Sequence, residues 1–139
     1  MSAYGRLREL FPGFTAELSN SLQVDGELDL ATQLDALYIT GRCRCADEDC
    51  GSFYVTDGSP RPPRGGLVNH IANLDPGQII LDVCFGTITY IEVFDRPDVI
   101  DTTSRLPRAP AAAPRPAPDP ASIRPLWPDA GARNSDRDT

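Results

Sequence analysis

The sequence predicts an α+β domain, with short N-terminal helices packed on an antiparallel β-sheet of two hairpins and a disordered, proline-rich tail behind it. Three observations predict this. Apolar residues recur at helical spacing up to Leu37, the period shifts to two from Ala36 onward, and beyond Asp101 hydrophobic density falls as prolines accumulate. A chain of 139 residues is the size of one domain, so the reading places an α+β domain in residues 1–101 and the tail in 102–139.

The N-terminal region divides into three apolar runs: Leu7, Leu10 and Phe11; Phe14, Leu18 and Leu22; and Leu28, Ala31 and Leu34. Pro12-Gly13 and Asp25-Gly26 separate them as helix-stop or turn signals, which predicts three short helices. Next, Leu37, Ile39, Gly41, Cys43 and Cys45 alternate with Tyr38, Thr40, Arg42 and Arg44, the pattern of a half-buried strand. Residues 52–56 are aromatic and β-branched and should pair with it as an antiparallel hairpin, leaving the cysteine loop at the tip.

Residues 57–66 hold three prolines and three glycines, which no central strand tolerates, so they read as a surface loop. Residues 67–74 are a weaker strand, and Asp75-Pro76-Gly77 is a turn. The clearest strands are residues 79–83 and 87–94, joined through Cys84-Phe85-Gly86 as a three-residue hairpin with Gly86 in the left-handed position. Arg96-Pro97 ends the last strand, and a short turn through Val99 and Ile100 closes the domain. In the tail, eight prolines block helix and ladder bonding, and Ile123-Arg124-Pro125-Leu126-Trp127-Pro128 is its one candidate docking motif.

Charge is divided unevenly along the chain. Residues 1–101 carry sixteen acids against seven arginines, a balance of −9, whereas residues 102–139 carry six arginines against four acids, a balance of +2. An acidic domain repels a phosphate backbone, so the expectation is no nucleic acid, and instead a protein partner with a basic surface. All thirteen basic residues are arginine, as in a GC-rich coding sequence. No apolar segment resembles a secretory signal or a membrane span, so no membrane association and a cytoplasmic location are expected. In a reducing compartment, four cysteines point to thiols or metal ligands rather than disulfides.

Three of those cysteines lie within eight residues. Cys43 and Cys45, two positions apart on a strand, leave the same face with Cα atoms about 6.6 Å apart, and Cys50 can fold back through the loop. A structural zinc takes four ligands in a tetrahedron, so zinc is the candidate cofactor, with Cys43, Cys45, Cys50 and His70 as metal ligands and Cys84 as the less secure alternative. The competing reading packs Cys43 and Cys45 into the core as small hydrophobes. The Asp47-Glu48-Asp49 run lacks the spaced oxygens of a calcium loop and reads as a solvated turn. Asp82 and Glu92 are the one candidate acid-base pair, and cross-strand or edge exposure explains them more cheaply.

The stretch Cys43-Arg44-Cys45-Ala46-Asp47-Glu48-Asp49-Cys50-Gly51-Ser52-Phe53-Tyr54 resembles a family of small uncharacterised bacterial proteins of GC-rich genomes, as do the strands around Asp82 and Glu92. The resemblance implies a small α+β domain and no particular activity. No catalytic constellation is legible, so the expected function is a non-enzymatic, acidic protein-binding domain of a regulatory or immunity-like kind. Two alternatives stand beside it: a zinc-stabilised structural module, and a thiol-dependent enzyme using Cys50.

Overall fold

A computed structural model describes residues 4–45, 47, 50–60 and 65–109. Glu48, Asp49 and residues 110–139, including the Ile123–Trp127 stretch, lie outside the described residues. The elements run β1 (Gly5–Arg6), α1 (Leu7–Leu10), α2 (Pro12–Val24), α3 (Leu28–Leu34), β2 (Tyr38–Arg42), β3 (Phe53–Thr56), β4 (Leu67–Asn73), β5 (Gln78–Cys84), β6 (Thr87–Phe94) and α4 (Pro97–Thr103). The strands form one antiparallel sheet in the order β1-β2-β3-β6-β5-β4, with the helices packed on it. The expected α+β architecture is therefore present, and its two hairpins are joined edge to edge through β3 and β6.

The apolar periodicity identified the core correctly. Phe14, Leu18 and Leu22 of α2 and Leu30 and Leu34 of α3 are buried against Ile79 and Leu81 of β5 and Ile88 and Ile91 of β6. Phe11 stacks on Phe53 of β3, with ring centroids 5.2 Å apart and planes 7° from parallel. In β6 the two buried isoleucines are three residues apart rather than two. The register shifts by one residue between Ile88 and Tyr90, so a β-bulge turns both Ile88 and Ile91 towards the helices. Gln33 of α3 then grips the end of that hairpin: its Nε2 donates to the Gly86 carbonyl at 2.6 Å and its Oε1 accepts from the Ile88 amide at 3.0 Å.

Among the described residues Arg96 is the one charged side chain that is buried. All five of its N–H groups are used, bidentately on Glu17 and Asp98 and singly on the Pro76 carbonyl, so α2, the β4–β5 turn and the start of α4 meet on one guanidinium. A charge this dry persists only because its partners satisfy it fully.

Several local expectations need correction. The β5–β6 connection is a two-residue turn, because Cys84 pairs with Thr87 and both Phe85 and Gly86 take positive φ, as a type I′ turn requires. The turn expected at Val99 and Ile100 is the helix α4, which runs past the boundary drawn at Asp101. A tail disordered from Thr102 is also overturned for residues 102–109. The Pro107 carbonyl accepts the Arg42 amide at 3.0 Å and the Ala109 amide donates to the Arg42 carbonyl at 2.9 Å, which extends the sheet edge beyond β1. Proline was read as a breaker there, but at this edge only its carbonyl is needed.

Candidate metal centre

The cysteine cluster is built by the end of the β2–β3 hairpin. β2 stops at Arg42, so Cys43 and Cys45 lie just beyond the strand rather than on it, although one further rung, from the Cys43 amide to the Ser52 carbonyl at 2.9 Å, holds the two arms together. The chain then turns back at Asp47, whose carbonyl accepts the Cys50 amide at 3.3 Å. As a result the Sγ atoms of Cys43, Cys45 and Cys50 all lie within 4.8 Å of one another. All three residues are half-buried, which removes the reading of Cys43 and Cys45 as core hydrophobes.

The other two proposed ligands are elsewhere. His70 sits on β4, three places from β3 in strand order, with its ring nitrogens 3.9 Å from carboxylate oxygens of Asp25 and Glu27. The set Cys43, Cys45, Cys50 and His70 is thus not brought together; its cysteines converge and its histidine does not. Cys84, at the end of β5, contacts the Thr89 hydroxyl at 3.7 Å and lies outside the cluster. Sequence separation could not expose this, since both residues were close enough along the chain for a loop to return them, and only the strand order puts them away from the hairpin.

The surroundings of the three thiols are unequal. Burial alone would push the Cys43 thiol up, but hydrogen bonds from the Tyr90 hydroxyl, from the Cys45 amide at 3.4 Å and from the neighbouring thiols favour its thiolate, and the net shift is downward. For Cys45 the Asp47 backbone favours the thiolate, yet Cys43, burial and Cys50 together outweigh it and the net shift is upward. Of this pair, Cys43 is thus the easier to ionise, and Cys45 resists following it. A bound cation would reverse that resistance and expel the remaining protons.

Tyr90 was not singled out by the sequence. It lies opposite Tyr54 in the β3–β6 ladder, with ring centroids 4.6 Å apart, and the Arg44 guanidinium stands 4.8 Å over the Tyr54 ring. Burial pushes the Tyr90 phenol up, the Cys43 thiol pushes it further, and only the Ser52 hydroxyl opposes them. Ser52 is in turn fixed, since its Oγ accepts the Val93 amide at 3.1 Å. A chain of polar groups from the β6 backbone through Ser52 and Tyr90 thus ends on the sulfur of Cys43. Such outer partners orient a ligand and tune its basicity.

Comparison with family models, curated proteins and solved structures finds no match. The chemistry must be judged on the residues. Three sulfurs on a tetrahedral zinc with bonds of about 2.3 Å stand about 3.8 Å apart, so a closure of about 1 Å at most, within reach of side-chain rotation, would seat an ion. Three cysteines are close enough to hold a metal ion, and their soft donors fit zinc. Among the described residues no histidine or carboxylate joins them.

Proposed function

We propose that the chain is a small binding module that holds zinc through Cys43, Cys45 and Cys50 and offers its acidic exterior to a basic protein partner. Membership in the small-protein family that the cysteine stretch resembles is part of the same reading. The convergence of three Sγ atoms within 4.8 Å carries the metal half. Such an ion would tie the two arms of the β2–β3 hairpin beyond their last backbone rung, contributing binding free energy to folding. The −9 balance of residues 1–101 supports the partner half.

Elemental analysis of the untagged full chain, purified under reducing conditions, tests the metal. The expected result is about one zinc per chain, a melting temperature lowered by chelator, and loss of zinc in Cys43→Ser and Cys50→Ser but not in His70→Ala. Zinc below about a tenth of an equivalent, with three freely titrating thiols in this cluster and a melt indifferent to chelator, would overturn it.

A further inference from the structure

The two edges of the sheet are treated differently. On one side β1 and the Pro107–Ala109 segment cover β2. On the other, β4 pairs with β5 in unbroken register from Leu67 to Asn73, and no strand among the described residues pairs with its outer side. Exposed edges are usually blunted by charge, proline, a bulge or shortness. β4 has seven residues, no bulge, no proline and no acidic or basic residue apart from His70, and Leu67, Val68 and Ile71 are 56%, 61% and 53% exposed. It is a regular template of amides and carbonyls flanked by bare apolar side chains.

The neighbouring charges say what fits. On the helix side, Asp25 and Glu27, each nearly half-exposed, face His70; on the open side, Asp82 accepts a hydrogen bond from Asn69 at 2.7 Å. A second copy of this chain would bring its own acids against these, in a protein of net charge −7. A cationic strand would meet them favourably. We infer that the outer edge of β4 receives an extended segment of a basic partner protein, in which apolar residues alternate with arginine or lysine and the backbone adds a seventh strand to the sheet. The inference rests on the partner half of the reading above and gives it a place and a mode; it is independent of the metal.

The probe is a capped, fluorescent seven-residue peptide alternating arginine and valine, titrated into the full chain, with hydrogen exchange followed across residues 67–73. Saturable binding should slow exchange in β4, and alternate backbone N-methylation of the peptide should weaken it at least about ten-fold, the loss of a few edge hydrogen bonds. Asp25→Asn with Glu27→Gln should flatten the salt dependence, and Ile71→Thr, which keeps a β-branched residue in the strand, should weaken binding several-fold. Salt-dependent binding that ignores N-methylation and leaves β4 unprotected would overturn the edge mode while leaving a basic partner in place. No binding at any salt, or a concentration-dependent dimer that protects β4 without peptide, would overturn the inference itself.

Discussion

At the scale of single residues, the link from Tyr90 to Cys43 favours the thiolate of that cysteine. Tyr90→Phe keeps the ring against Tyr54 and removes only the hydroxyl. The downward pull on Cys43 is then reduced, so the midpoint of its alkylation rate against pH should move upward, and zinc affinity should fall by about ten-fold, as for other outer-sphere partners. An unchanged alkylation profile would show that the phenol does not act on the sulfur. The sequence displayed the three ligands because cysteine is scarce and its spacing is visible. It hid Tyr90, thirty-six positions beyond Tyr54, because the contact depends on the β3–β6 pairing and not on any local pattern. It also made His70 attractive simply as the one imidazole in the chain. A single available ligand type is a weak argument when its strand lies at the far edge of the sheet.

At the scale of elements, strongly periodic segments were legible and short edge segments were not. α2 and the β5–β6 hairpin follow from their apolar spacing, since each buries one face. β1 has only two residues and no period to read, and α4 ends in Thr102 and Thr103, whose hydroxyl-bearing side chains do not resemble an apolar stripe although Thr103 is fully buried and donates to the Gly51 carbonyl at 3.3 Å. The Pro107–Ala109 segment is held by close approach to Gly41, where an added Cβ would come within 2.5 Å of the Ala109 backbone. Gly41→Val should therefore expel that segment or strain β2, at a cost of about 1–3 kcal/mol in chemical denaturation, with amide protection lost at Ala109. Retained stability and protection would mean that the segment moves aside without consequence.

For the whole molecule, the guanidinium of Arg96 makes folding sensitive to acid. Its hydrogen bonds hold the carboxyls of Glu17 and Asp98 below their usual range. A carboxylate depressed in the folded state contributes stability that is present above its unfolded value and disappears as pH falls through the folded one. Asp82 has the opposite sign, because burial raises it, and it slightly favours the fold as pH drops towards the ordinary carboxylate range. Stability should accordingly hold to about pH 4.5 and decline below it. Arg96→Met, which fills the space beside Phe14 but frees both acids to solvent, should cost roughly 2–4 kcal/mol at neutral pH and make the acid decline shallower. An unaltered slope in urea melts between pH 3 and 7, the range spanning these groups, would place the acid sensitivity elsewhere.

The bond between Ala109 and Arg42 also ties the last described residue to the strand that leads into the sulfur site. That anchor sits one position from Cys43, so anything that unfastens Ala109 would loosen the arm that carries the first thiol.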